Sequence, residues 1–276
     1  MKCWRGHDSL CWRGVRTSCR LLVVSCRKRG SRALSEWVGD GVDSDAEPTF
    51  EGSALIYVET KGLLFDMDGV LIRSIGSVER CWQRWCKQYG VPNADEYKVP
   101  HGTRALDIVR MLKPEWDEAQ VAEGLHTIEE MEIEDTADVK VLPGAKALLA
   151  RLPAERWAVV TSATRRLVVA RLAAAGLPVP ERFVSGDMVE RGKPDPEPYR
   201  RGAELLGLTP VECVVVEDAP SGVGAGIAAG CRVLGVLGTH AVGQLQRATW
   251  IAESLEAVEV QLIADGLELR FTRVPV

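Results

Sequence analysis

The chain has 276 residues, of which 46% are hydrophobic and 26% are charged. These are the values of an ordinary globular protein, and they exclude a collagen-like, coiled-coil or wholly disordered chain. No run of about 18 apolar residues occurs, so no transmembrane helix is predicted. The net charge of −5 gives no electrostatic reason to expect a nucleic-acid partner.

The first 59 residues differ from the rest of the chain. Residues 1–35 hold nine basic residues and one acidic residue, and four of the eight cysteines lie there: Cys3, Cys11, Cys19 and Cys26. The cysteine spacing lacks the close pairs of a zinc site, and the longest apolar run is too short for a secretory signal. A transit peptide, a zinc site or disulfides are weaker alternatives. We interpret residues 1–59 as an atypical extension that is disordered or results from a misplaced start codon, with Val58 as the alternative first residue.

From residue 60 onward, short apolar runs alternate with helical patterns. Four runs lack the polar–apolar alternation of a half-exposed strand: residues 62–66, 157–161, 213–217 and 232–236. Such runs indicate strands that are buried on both faces, as in a parallel sheet. Between them, apolar residues recur at helical spacing, as at Ala145, Leu148, Leu149 and Leu152. The predicted fold is α/β, with a doubly wound parallel sheet.

Two segments depart from this alternation. Between residues 76 and 141 only helical patterns occur, in three apolar stripes: Val78, Cys81, Trp82, Trp85 and Tyr89; Ala105, Ile108, Val109 and Leu112; Val121, Leu125 and Ile128. We therefore predict an inserted α-helical domain at 76–141, with the core formed by residues 60–75 and 142–276. The tail alternates around Asp265-Gly266, which predicts a β-hairpin.

Polar side chains capable of catalysis follow the predicted strands. Asp66 and Asp68 follow the first strand, Thr161 and Ser162 the second, and Glu217 and Asp218 the third, with Lys193 in a loop between the last two. Ligands of parallel α/β sheets bind at the carboxyl ends of the strands. Four acids gathered there would repel one another without a cation. A divalent metal with oxygen ligands resolves this conflict, and Mg²⁺ is the natural candidate.

The residue types suggest phosphoryl transfer. An aspartate can attack phosphorus and form an aspartyl-phosphate. A second acid two residues away can protonate the leaving oxygen and then deprotonate the attacking water. The metal and the lysine would offset the charge of the phosphoryl oxygens, while hydroxyl and backbone N–H groups would supply neutral donors.

The motifs resemble those of the haloacid dehalogenase superfamily. They are Asp66-x-Asp68-Gly69-Val70, Ser162 at a strand end, Gly192-Lys193-Pro194, and Glu217-Asp218 followed by Gly222. The helical insert resembles the class-one cap of that superfamily. The resemblance implies that Asp66 is the nucleophile and a metal ligand, and that Asp68 is the general acid/base, with its carbonyl on the metal. It also implies that Ser162 and Ala163 bind phosphate, with Thr161 as the alternative to Ser162. Lys193 would bridge nucleophile and phosphate, and Asp218 and Glu217 would bind Mg²⁺, Glu217 directly or through water.

Details narrow the resemblance to phosphatases. Dehalogenases of the superfamily lack the second aspartate, which is present here as Asp68. The β-phosphoglucomutase branch carries a cap histidine near the position of Val78, and no histidine occurs between residues 69 and 100. The sequence around His101 and Arg104 resembles the glycerol-3-phosphatase and 2-deoxyglucose-6-phosphatase group, in which these residues face the active site. Arg104 could hold a substrate hydroxyl or phosphate, and His101 is the second cap candidate.

We therefore expect a cytoplasmic, Mg²⁺-dependent phosphatase that hydrolyses small sugar or polyol phosphates through an aspartyl-phosphate. The expected partner is a small phosphate ester, with no nucleic acid or membrane, and the expected state is a monomer or weak dimer. One alternative is a phosphosugar mutase, which would return the phosphate to the sugar. The other is a catalytically inactive binding or regulatory protein on the same fold.

Overall fold

The structure is a computed structural model, and it describes residues 54–276. The four N-terminal cysteines, and most of the segment interpreted as an extension, lie outside the described residues. The strands are β1 Leu55–Thr60, β2 Gly62–Phe65, β3 Ile72–Arg73, β4 Lys140–Val141, β5 Trp157–Val160, β6 Phe183–Val184, β7 Cys213–Glu217, β8 Arg232–Val236, β9 Trp250–Ala252, β10 Val258–Ile263 and β11 Gly266–Thr272. The α-helices are α1 Ile75–Gln88, α2 Ala105–Leu112, α3 Glu118–Glu134, α4 Ala145–Leu149, α5 Arg165–Ala174, α6 Glu197–Leu205, α7 Pro220–Ala229 and α8 Val242–Leu245.

The central sheet has six strands in the order β6-β5-β2-β7-β8-β9. All of its pairs are parallel. Every residue of β2, β5 and β7 is buried, because separate apolar clusters cover the two faces of the sheet: Leu63 and Phe65 point into one cluster, and Leu64 into the other. The prediction of an α/β fold with a parallel sheet is confirmed. The two edge strands, β6 and β9, have only two and three residues and were not predicted, since such short runs carry no periodic signal.

A second sheet packs against the first apolar cluster. The predicted hairpin is present as β10 and β11, which pair from Val258–Phe271 to Ile263–Gly266. The sequence reading missed its third strand, because β1 lies in the segment that we interpreted as an extension. Its residues pair with β11 from Leu55–Thr272 to Thr60–Leu267, so the prediction that residues 55–59 belong to a disordered extension is wrong. A chain that began at Val58 would lack the first three of these pairs.

The residues between β3 and β4 form helices α1, α2 and α3 around a third apolar cluster. The three predicted stripes contribute to it, and Trp85 is fully buried with its indole N–H on Gly124 O at 2.8 Å. Strand β3 leads into this helical insert and strand β4 leads out of it, and the two strands pair antiparallel. None of the helices in residues 54–276 is long and apolar enough to cross a membrane.

Candidate active site

The carboxyl ends of three adjacent strands converge as the sequence predicts. Strand β2 lies between β5 and β7; Asp66 directly follows β2, Thr161 directly follows β5, and Glu217 is the last residue of β7. Asp66 continues β2 and donates its backbone N–H to Val216 O of β7 at 3.0 Å. Asp66, Thr161, Glu217 and Asp218 are all buried. The parallel sheet therefore brings side chains that are up to 152 positions apart in the sequence to one edge.

Lys193 is the electrostatic centre of this edge. Its buried Nζ donates to Asp66 Oδ1 at 2.6 Å, to Glu217 Oε1 at 2.7 Å and to Val160 O at 3.0 Å. Burial alone would lower the pKa of Lys193, but the carboxylates of Asp66 and Glu217 more than offset this and raise it. The lysine is therefore a fixed positive charge with each of its three N–H groups engaged.

Glu217 is held by four hydrogen bonds. Its Oε1 accepts from Lys193 and from Tyr199 OH, both at 2.7 Å, and its Oε2 accepts from the backbone N–H groups of Asp218 and Ala219 at 3.0 and 3.1 Å. Gly222 makes room for this carboxylate, since a Cβ at that position would lie 1.6 Å from Glu217 Oε1. With both oxygens engaged, Glu217 is suited to an indirect, water-mediated metal contact rather than a direct one.

Asp66, Glu217 and Asp218 form a group in which one carboxylate oxygen of each residue lies within 4.8 Å of the other two. Burial raises the pKa of Asp66, the positive charge of Lys193 lowers it, and the negative charge of Glu217 raises it. The net effect is a pKa of about 7. Burial, Glu217 and Asp66 raise the pKa of Asp218 well above its usual range. Buried oxygen donors that repel one another fit a small divalent cation such as Mg²⁺, with Asp66 and Asp218 as the available direct ligands.

Asp68 turns away from this group toward the helical insert. Its Oδ1 accepts from Ser74 Oγ, and its Oδ2 accepts from Arg171 Nη1 at 2.9 Å. The reversal takes place at Gly69, which has a φ of +92° and lies so close to Asp218 that a Cβ would be 2.0 Å from its Oδ2. Only glycine meets both conditions. Two acids two positions apart thus take separate places, while the predicted metal contact of the Asp68 carbonyl stays a prediction.

The predicted phosphate-binding groups lie at the end of β5. Ser162 Oγ donates to Gly102 O of the insert at 2.7 Å, and Ala163 N–H donates to Thr161 Oγ1 at 3.1 Å. Both groups line the same cavity as Asp66 and Asp68. Their roles stay predictions, and a bound phosphate would have to take these hydrogen bonds from their present partners.

The cap residues His101 and Arg104 also line this cavity, but the guanidinium of Arg104 is hydrogen-bonded to other protein groups. Its guanidinium makes a bidentate pair with Asp107 at 2.8 and 2.9 Å and donates to Gly186 O and Val189 O of the core at 3.4 and 2.9 Å. The last two of these hydrogen bonds tie the insert to the core, and the four together leave little of the guanidinium for a substrate. Burial and the neighbouring His240 lower the pKa of His101, which favours a neutral ring.

The insert and the core enclose a cavity of about 390 Å³. The insert supplies much of its apolar wall, and the core supplies the polar end. That volume suits a small molecule. The cavity residues that the sequence reading missed include Ser74, Glu132 and Arg171, which contact Asp68 directly or through one another. Glu132 lies four residues after Ile128, at the position where the stripe of Val121, Leu125 and Ile128 predicts an apolar residue. A charged residue at that position was the one sign in the sequence that Glu132 belongs to the site.

Comparisons with known proteins agree with this geometry. A family model described as haloacid dehalogenase-like hydrolase matches residues 60–230. Hexitol phosphatase A of Escherichia coli (strain K12) is 42% identical over 208 residues, which cover 75% of this chain and 96% of that protein. 2-deoxyglucose-6-phosphate phosphatase 1 of Saccharomyces cerevisiae is 32% identical over 64% of this chain and 80% of its own length. Among solved structures, a hydrolase from Pseudomonas syringae superposes with a TM-score of 0.64 at 24% identity, covering 71% of this chain and 94% of that one.

Proposed function

The chain belongs to the haloacid dehalogenase-like hydrolase family, and from this premise we propose that it is a Mg²⁺-dependent phosphatase of small sugar or polyol phosphates. The membership expected from the four motifs is confirmed, and with it the expectation of a phosphoric monoester hydrolase. The observation that carries the proposal is the buried contact of 2.6 Å between Lys193 and Asp66, with Asp68 directed into the same cavity. A cytoplasmic location stays a prediction.

In the proposed reaction, Asp66 attacks the phosphorus atom of the ester. A bond forms between its carboxylate oxygen and phosphorus, the bond from phosphorus to the ester oxygen breaks, and Asp68 gives its proton to the departing alcohol. Asp68 then takes a proton from a water molecule, whose oxygen attacks phosphorus and releases Asp66. The products are the alcohol and inorganic phosphate. Lys193 keeps one oxygen of Asp66 in place and offsets negative charge throughout.

The metal would be held by Asp66 and Asp218, with Glu217 behind them. When bound, it supplies positive charge beside the phosphoryl oxygens and relieves the repulsion among the three buried carboxylates. Glu217 contributes by fixing Lys193 and the start of α7, since its oxygens bind Lys193 Nζ and two backbone N–H groups there.

The cavity supports a small, uncharged organic portion in the substrate. Apolar side chains of the insert, including Val78, Trp82 and Leu125, form one wall, while Glu129 on α3 offers a carboxylate that can accept hydrogen bonds from hydroxyl groups. Sugar and polyol monophosphates combine hydroxyl groups with a single phosphate, in line with the substrates named for the relatives in Escherichia coli and yeast.

The test is release of inorganic phosphate from a panel of hexitol, hexose and glycerol phosphates with Mg²⁺. The purified chain is compared with Asp66→Asn, which removes the nucleophile, and with Asp265→Asn, the same change at an exposed residue. We expect release from at least one ester by the unchanged chain and by Asp265→Asn, and none by Asp66→Asn. Conversion of one sugar phosphate into another without phosphate release would favour the mutase, and binding of Mg²⁺ without turnover of any ester would favour the inactive binding protein.

A further inference from the structure

A buried arginine joins the core to the helical insert next to the proposed acid/base. Arg171 lies on α5 with 4% of its surface exposed. Its Nη1 is 2.9 Å from Asp68 Oδ2, and its Nη2 is 3.4 Å from Glu132 Oε1 on α3 of the insert. Its Nε has no hydrogen-bond partner within residues 54–276. The buried guanidinium therefore lies between two carboxylates, either of which can balance its single charge.

The contact fixes the Asp68 carboxylate at both oxygens. Ser74 Oγ donates to one oxygen and Arg171 to the other, while 27% of the Asp68 side chain remains exposed on the cavity side. A carboxylate held in this way keeps a constant position relative to the phosphoryl group on Asp66. Arg171 pairs with the carboxylate form of Asp68, which is the form that takes a proton from water in the second half of the proposed reaction.

Glu132 makes this arrangement depend on the insert. It is itself buried, and it pairs with Nη2 of the guanidinium, while Asp68 pairs with Nη1. Because Glu132 lies on the insert and Arg171 on the core, the ion pair is complete only when the insert is closed over the sheet edge. The proton-transfer group is then fixed at the moment when the cavity is shielded from solvent.

We propose that Arg171 is a positioning residue that holds Asp68 in place for proton transfer, with Glu132 completing the arrangement when the insert closes. The inference rests on the proposed phosphatase function. It gives Arg171 no direct part in bond making: the residue keeps its protons, and Asp68 exchanges one proton with the alcohol and one with water.

The test uses p-nitrophenyl phosphate, whose leaving group needs no protonation, so that formation of the aspartyl-phosphate is separated from its hydrolysis. Nitrophenol and phosphate are followed after rapid mixing with Mg²⁺ for the unchanged chain, for Arg171→Met and for the partial rescue Arg171→Lys. The matched control is Arg166→Met, since Arg166 on the same helix also pairs with the insert, through Glu129 and Glu130, but does not touch Asp68. A double variant, Arg171→Met with Glu132→Met, removes both buried charges and is used if the single variant does not fold.

We expect Arg171→Met, or the double variant, to release about one nitrophenol per molecule in a burst, followed by turnover about 100-fold slower than in the unchanged chain. Arg171→Lys recovers part of the rate, and Arg166→Met stays within about threefold without a burst. Parallel release of nitrophenol and phosphate at near-normal rates by folded Arg171→Met overturns the inference alone, and so does an equal loss in Arg166→Met. Absence of turnover in the unchanged chain overturns the phosphatase proposal and this inference with it.

Discussion

Replacement of Gly222 by alanine tests how far the active site depends on Glu217. Gly222 lies in the first turn of α7, beneath the carboxylate of Glu217. An added Cβ would be 1.6 Å from Oε1 and 1.9 Å from Cδ of that carboxylate. Ordinary contacts between such atoms are about 3.5 Å long, so the carboxylate would have to move by roughly 2 Å. Such a displacement lengthens the two hydrogen bonds that Oε1 accepts, from Lys193 and Tyr199, beyond hydrogen-bonding range.

The size of the effect follows from the partners that are lost. The bonds from Lys193 and Tyr199 involve a buried charge, and hydrogen bonds of that kind contribute about 1.5 to 3 kcal/mol each. The higher helix propensity of alanine returns about 1 kcal/mol. We therefore expect the free energy of unfolding to fall by about 2 to 5 kcal/mol. Because Lys193 would lose one of its two anchoring carboxylates, and misplacement of about 1 Å can cost roughly 100-fold in rate, phosphate release should fall by about that factor or more.

Gly224→Ala is the matched control, since this glycine lies in the same helix and its added Cβ would meet nothing closer than Pro194 Cβ at 3.6 Å. Urea unfolding and phosphate release are measured for both variants. Gly224→Ala should be as stable as the unchanged chain or more so, with near-normal activity. If Gly222→Ala behaves like Gly224→Ala in both assays, Glu217 does not need its present position and the reasoning is refuted.

Two further predictions concern charge. Burial raises the pKa of Glu132, Arg171 lowers it, and the negative charges of Asp68 and Glu129 raise it further. The resulting pKa is about 7. The folded state therefore retains a proton that the unfolded state loses between pH 4.5 and 7, and stability from this group falls by about 3 kcal/mol across that window. Urea unfolding should show Glu132→Gln gaining on the unchanged chain by this amount as pH rises, and a constant difference would contradict the assignment. Mg²⁺ at 100 times its Kd should stabilise the unchanged chain by about 2.7 kcal/mol. Thermal unfolding should show no such gain for Asp218→Asn, which should be the more stable of the two without metal, and an equal gain in both would exclude Asp218 as a ligand.

The sheet and the polar residues gathered at its edge were predictable from the sequence for one shared reason. A strand buried on both faces of a parallel sheet is a continuous apolar run, and the residue after it lies at the edge where ligands bind. Asp66, Ser162 and Glu217 could therefore be assigned to one site from local patterns alone. The hairpin around Asp265-Gly266 was predictable from the alternating pattern on either side of its turn. β1 was missed because its pairing partner lies more than 200 residues away, at the other end of the chain.

Contacts of helix side chains with distant elements could not be predicted in this way. Arg171 and Tyr199 lie on helices where their spacing fits an apolar face, and only the folded structure shows that each reaches a buried carboxylate. Arg104 was predicted as a substrate contact because of its place in a cap loop. Its partners in the core, the carbonyls of Gly186 and Val189, carry no side-chain signature that a sequence could show.

Hydrogen bonds to backbone carbonyls also affect how the specificity of this enzyme could evolve. Three side chains that secure the closed insert, those of Arg104, Ser162 and Ser221, donate to backbone carbonyls on the opposite side. Every residue type has such a carbonyl, so substitutions at His101, whose carbonyl is one of these acceptors, alter what the cavity presents without removing the contact. Closure and substrate choice can therefore be altered separately, and new specificities can arise by single substitutions in the cap loop while the closing contacts are kept.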